Sequence, residues 1–183
     1  MKKILTLLFI GLLNFTNHAF SDEKILKYLK EGKKLIFIRH AIAPGNGDPD
    51  NFNIKDCSTQ RNLDKNGINQ SKKIGLFFKS NKIKIDKVLS SEWCRCTDTA
   101  KYAFENFETF DALNSFYDEK FAENETKQIK DLKNYIKKWN SDKNLVLITH
   151  FVVISSILNT GSSSGEIIIT DKNLNIIGSI DMM

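Results

Sequence analysis

A three-layer α/β/α domain built on a mostly parallel sheet is the fold the sequence predicts, and three observations carry that prediction. Two short runs, Lys34–Arg39 and Asn144–His150, have almost wholly apolar middles, as strands buried on both faces must. Segments with apolar residues at helical spacing lie between such runs, so strands and helices alternate along the chain. The 183 residues include nine glycines and two prolines, with no linker-like stretch and no internal repeat, which points to one domain of ordinary size.

In chain order, Met1-Lys2-Lys3 is a short positive start and Ile4–Phe15 an apolar run. Ala19-Phe20-Ser21 then sets small residues at the −3 and −1 positions before Asp22. This is the three-part pattern of a secretory signal peptide, expected over residues 1–21 with the mature domain over 22–183. The apolar run is shorter than the about 20 residues that cross a membrane as a helix, so no stable membrane anchor is expected after cleavage. No cysteine stands at the cleavage point, and a lipid anchor is not indicated. The expected location is periplasmic or secreted.

Lys34–Arg39 predicts the first strand, and Ala41–Gln60, polar and rich in Gly, Pro, Asn and Asp, a long loop of the kind that often carries function. Leu63, Gly67, Gln70, Ile74 and Phe77 recur at helical spacing and predict a helix from about Asp64 to Ser80. Lys87–Ser91 reads as a strand, Trp93–Phe107 as a helix and Thr109–Leu113 as a third strand. Glu119–Trp139 is helical in its later part, with Ile129, Leu132, Ile136 and Trp139 on one face. Asn144–His150 is again a strand, Val152–Leu158 an apolar helix, and Gly165–Ile180 two strands joined at Asp171-Lys172-Asn173.

Hydrophobic content of 41% and charged content of 27% exclude a disordered or membrane-embedded chain. The formal charge of +5 comes from lysines scattered along the sequence, two of them in the leader, rather than from a dense patch. Nucleic-acid binding is therefore not expected, although a basic surface would draw in phosphorylated substrates. In an oxidising compartment Cys57, Cys94 and Cys96 can form a disulfide. Cys94 and Cys96, two apart on a helix, point in different directions and should not pair with each other. The readings are Cys57 bonded to Cys94 or to Cys96 with one thiol left over, or three buried free thiols. A zinc site is not expected, since no Cys-x-x-Cys pair or ligand-spaced His accompanies them.

Three histidines are present, and His18 leaves with the leader. His40 and His150 each stand at the carboxyl end of a buried strand, the edge of an open α/β sheet where ligands bind. Arg39 adjoins the first, and Arg95 follows Val88-Leu89-Ser90-Ser91 near the start of a helix. A guanidinium fork offers two donors to two phosphoryl oxygens, and a helix N-terminus adds N–H groups and a favourable dipole. The four residues predict an anion pocket holding an imidazole nucleophile.

Leu35-Ile36-Phe37-Ile38-Arg39-His40 resembles the opening motif of the histidine phosphatase superfamily, which has the phosphoglycerate mutase-like fold. The resemblance continues, in the family's order, through Gln60-Arg61-Asn62-Leu63, Gly67 and Gln70, Val88–Ser91 with Arg95-Cys96 and Thr99-Ala100, and Leu147-Ile148-Thr149-His150. It implies a metal-independent phosphoric monoester hydrolase without cofactor. His40 would attack phosphorus and carry the phosphoryl group. Arg39, Arg95 and His150 would bind its oxygens, with Arg61 reaching in from the long loop. Fixed positive donors suit a loose phosphoryl-transfer transition state, and neutral imidazole is a competent nucleophile.

Two departures stand out. Ala41 replaces the family's usual Gly, and the general acid that many members place after the third strand must come from Phe116–Glu123. Glu119 is the nominee, with Asp118 and Glu123 as alternatives, although acidic residues in a first helical turn also serve its dipole. Members without this acid act on phosphohistidine, so a phosphohistidine protein phosphatase is the alternative, and a catalytically silent binder of phosphorylated ligands a further one. A mutase of glycolytic phosphoglycerates is disfavoured by the leader and by the lack of room for insertions. Similar members with leaders suggest a small phosphorylated substrate such as an envelope sugar phosphate.

Overall fold

The computed structural model describes residues 23–183, and the leader expected over 1–21 lies outside them. Six strands form one sheet: β1 (Leu35–Arg39), β2 (Ile85–Ser90), β3 (Glu108–Thr109), β4 (Asn144–Thr149), β5 (Ile167–Thr170) and β6 (Ile176–Ile180). Their order is β3-β2-β4-β1-β5-β6. The pairs β2–β3, β2–β4 and β1–β4 are parallel, whereas β5 is antiparallel to both β1 and β6. The helices are α1 (23–31), α2 (Lys65–Ser80), α3 (Cys94–Phe104), α4 (Glu119–Ala122), α5 (Glu125–Lys138) and α6 (Phe151–Leu158).

Alternation along the two central strands sorts the core into two layers. Leu35, Phe37, Leu145 and Leu147 face α5 and α6, where Leu132, Ile136, Val153 and Ile154 meet them. Ile36, Ile38, Val146 and Ile148 face the opposite way, against Leu29 of α1, Ile74 and Phe78 of α2 and Ala100 of α3. Every residue of β4 is buried, which explains why its sequence shows no polar alternation.

Local chemistry sets the helix ends. The Asp64 carboxylate caps α2 by accepting the Gly67 N–H at 2.8 Å. Gly67 itself is needed for packing, because a Cβ there would lie 2.0 Å from the Ile42 carbonyl oxygen. The expected third strand is shorter than Thr109–Leu113. After Thr109 the chain turns through a 3-10 segment, Asp111–Leu113, which buries Leu113 and lets its carbonyl accept the Thr149 hydroxyl at 2.6 Å. The segment 119–139, expected to be helical in its later part, holds the short α4 and then α5, and Phe121 of α4 turns inward against Trp93 and Phe52.

The long loop is held, not free. A 3-10 turn, Cys57–Thr59, presents Cys57 to Cys94 at the start of α3, and the two are joined by a disulfide. Cys96 is the buried free thiol. The Gln60 side chain reinforces the same junction: its Oε1 accepts the Cys94 N–H at 2.9 Å, while its Nε2 donates to the Asn53 and Ile54 carbonyls. Closing a loop of sequence separation 37 restricts the unfolded chain. The paired substitution Cys57→Ser/Cys94→Ser should therefore cost about 2–4 kcal/mol of stability, read from urea denaturation. An unchanged midpoint would mean that the bond contributes nothing.

Candidate active site

Three adjacent strands deliver the reactive side chains. His40 follows β1, His150 follows β4 and Ser91 follows β2, all at the carboxyl edge of the sheet. The ladder continues just far enough to fix them: the His40 N–H donates to Thr149 O at 2.9 Å and the Ser91 N–H to Ile148 O at 2.9 Å. His40 and His150 are each 3% exposed, with ring centroids 5.4 Å apart. They line a pocket of about 280 Å³, together with Arg39, Arg61 and Arg95.

The His40 ring has one assignable hydrogen. Its Nδ1 lies 2.8 Å from the Ala41 carbonyl, an acceptor only, so Nδ1 donates and the neutral ring keeps its lone pair on Nε2. Ala41 does this work without glycine's conformational freedom, since it has no positive φ. Its own N–H donates to Thr99 Oγ1 at 3.0 Å, and Thr99 in turn donates to the Arg95 carbonyl. His150 Nε2 lies 2.9 Å from Ser91 Oγ. The Ser91 hydroxyl donates to Asn114 Oδ1 at 3.1 Å and accepts the Trp93 N–H, so Nε2 of His150 donates to Ser91 Oγ, and it is the protonated ring that would also offer Nδ1–H to an anion.

The arginines are anchored by one edge each. Arg39 donates from Nη1 to Ser162 O at 2.6 Å, and its guanidinium lies over the Phe151 ring. Arg61 donates from Nε to Gly47 O at 2.9 Å and from Nη1 to Ala43 O. Arg95, 3% exposed, donates from Nη1 to both carboxylate oxygens of Asp48, at 2.8 and 3.1 Å. The Nε groups of Arg39 and Arg95 are buried without a hydrogen-bond partner.

Asp48 is the residue sequence reasoning passed over. Its side chain is 1% exposed and also accepts the Arg61 N–H and the Trp93 indole N–H, both at 3.0 Å. Burial would raise its pKa, but the Arg95 and Arg61 bonds outweigh that and hold the carboxyl below the usual range. The one signal in the sequence was the Gly47-Asp48-Pro49 turn inside the polar loop, where Gly47 takes a φ of +63°.

The nominated acid, Glu119, does not reach the site. As the first residue of α4 it is exposed and absent from the pocket wall, and Glu123 is exposed at the other end of that helix. Asp118, which precedes α4 and is half-buried, lines the pocket across from Gly47. The reason is directional: at a helix start, consecutive residues point to different sides.

Burial first, then the Arg95 charge, push both imidazoles well below the ordinary value of 6.5. His40 and His150 are therefore neutral in the folded protein at pH values where the unfolded chain has begun to bind protons. Their contribution to stability is complete above about 6.5 and is lost as the pH falls below it. Urea denaturation between about pH 5 and 7 should show that decline, and His40→Asn should flatten it by up to about 1.4 kcal/mol per pH unit. An identical slope in the variant would contradict the assignment.

No protein-family model and no curated protein matches this sequence. Solved structures do. The protein histidine phosphatase SixA with tungstate aligns with a TM-score of 0.59 at 15% identity, over 81% of this chain and 97% of that one. A phosphoserine phosphatase variant from Entamoeba histolytica with phosphoserine gives 0.54 at 20% identity, over 74% and 89%. The shared course of sheet, helices and connections shows that this chain has the fold of these two phosphatases, the phosphoglycerate mutase-like fold.

Proposed function

We propose that this protein is an exported phosphatase that hydrolyses small phosphomonoesters through a phosphohistidine on His40. The observation that carries the reading is the pairing of a neutral imidazole, its Nε2 lone pair free, with the side chains of Arg39, Arg61 and Arg95 in one pocket. Arg39, Arg95 and His150 bind the phosphoryl oxygens and Arg61 adds charge from the loop. His40 Nε2 forms a bond to phosphorus as the ester P–O bond breaks, and charge stabilisation by these donors lowers the barrier. Asp118 gives its proton to the departing alcohol oxygen. The resulting carboxylate then takes a proton from the water that attacks the phosphohistidine, releasing phosphate and restoring His40.

Export rests on the leader pattern over 1–21. That compartment makes phosphorylated sugars of the cell envelope the first substrates to try. The fold that the chain shares with SixA supports phosphoryl chemistry at this edge of the sheet, and the carboxylate on the pocket wall favours an ester over phosphohistidine as substrate.

The test is turnover of a phosphomonoester panel by the purified protein in excess chelator, with acid quench to trap the phosphoenzyme. His40→Ala should abolish the phosphoenzyme and lower kcat/KM by about 10³-fold or more. Turnover surviving that substitution, or lost to chelator, would overturn the mechanism. Asp118→Asn should lower kcat/KM about 10²-fold for alkyl phosphates and less than about tenfold for p-nitrophenyl phosphate, whose leaving group needs no proton. Equal effects on both would remove Asp118 as the acid. An unchanged rate on alkyl phosphates would rule out acid catalysis by Asp118, and turnover of phosphohistidine with none of alkyl phosphates would point to a phosphohistidine protein phosphatase.

A further inference from the structure

A second groove, of about 720 Å³, opens beside the phosphoryl pocket, and Ser115 lines both. Trp93 stands at the boundary. Its ring centroid is 5.5 Å from that of His150, and it packs at 5.0 Å against Phe52 and 5.5 Å against Phe121. One wall of the groove is the long loop at Phe52–Ile54, and the other is α4 with the start of α5. The loop wall is built, not draped. The Phe52 N–H donates to Pro49 O, the Asn53 N–H to Thr59 Oγ1, and Gln60 holds the Asn53 and Ile54 carbonyls.

One cation is held over this space. Lys120 Nζ lies 5.3 Å from the Phe52 ring centroid and 5.2 Å from that of Phe121, so two ring faces position it. Among the described residues no carboxylate pairs with it, whereas Lys127, the other lysine of the groove, is bound to Asp131 at 2.8 Å. An unpaired ammonium on the wall of a groove that shares Ser115 with the phosphoryl pocket is complementary to a further negative charge on the same molecule.

Building on the reading of the smaller pocket as the phosphoryl site, we infer that this groove is a leaving-group subsite. It selects substrates that carry a second phosphate, bound at Lys120 while the first is transferred to His40. Phe52 and Phe121 place the cation, and the body of the leaving group lies along the groove past Ser115. Specificity then comes from the charge at the far end of the substrate, not from the phosphoryl group that all candidates share.

The experiment compares glucose 1,6-bisphosphate with glucose 6-phosphate. Calorimetry on the full-length His40→Ala protein gives Kd values, and kcat/KM comes from the wild type. The bisphosphate should bind about tenfold more tightly, as one charge-assisted contact provides. Lys120→Ala should bring the two ligands within about twofold, Lys120→Arg should keep most of the difference, and Lys137→Ala, exposed on α5, should keep all of it. A monophosphate that binds and turns over with no advantage for the bisphosphate overturns the subsite alone, as does an advantage that survives Lys120→Ala. If neither ligand nor inorganic phosphate binds, the phosphoryl reading and the subsite fall together.

Discussion

Gathering Arg39, Arg61 and Arg95 in one small pocket sets like charges against one another where water reaches poorly, and the fold must answer that cost before any ligand arrives. The answer is Asp48, whose carboxylate is almost wholly buried against Arg95. A buried ion pair is weak in net stability, yet losing one partner strands the other, so the pair fixes position more than it adds energy. Asp48 can hold Arg95 only if the loop that carries it follows one path. The Cys57–Cys94 disulfide, the Gln60 bonds and the Arg61 N–H all serve that path. The loop and the start of α3 are one unit, and the phosphoryl pocket and the neighbouring groove are its two sides.

The opposite side of the pocket is tied by packing around His40. Gly165 has a φ of +75° and donates its N–H to the Arg39 and His40 carbonyls, while a Cβ there would strike the Gln70 amide at 2.4 Å. Gln70, buried on α2, accepts the Ile42 N–H and donates to Ser164 O, bridging the segments that precede and follow the site in space. This explains why Gly67 and Gln70 sat among the apolar positions of that helical pattern. They face the backbone beside His40, where bulk or an apolar chain would not fit.

Much of the arrangement could be read before the coordinates because strand ends are local facts. A buried apolar run that stops at Arg39-His40 or at His150 announces a sheet edge, and these three residues could be placed on it from that alone. Asp48 could not, because a carboxylate in an irregular loop has no periodicity to say whether it faces solvent or an arginine. That Asp118 and not Glu119 lines the pocket turned on the direction of one helical start, below what residue spacing resolves. The short β3 and the break before α5 were decided by Leu113 and Phe121 reaching tertiary partners. The antiparallel pairing of β5 with β1 had no local sign at all, since it joins distant parts of the chain, whereas the β5–β6 hairpin was announced by its turn.

That last feature bears on how the molecule comes to be. β1 lies near the start of the described chain, but its two hydrogen-bonded neighbours are β4 and β5, both far along it. The strand that ends in His40 therefore stays unpaired until nearly the whole chain exists and long loops have closed, which is entropically slow. No partial product of synthesis can hold the anion pocket, because Ser162, Gly165 and β5 arrive last. Until those segments are made, β1 has its edges open.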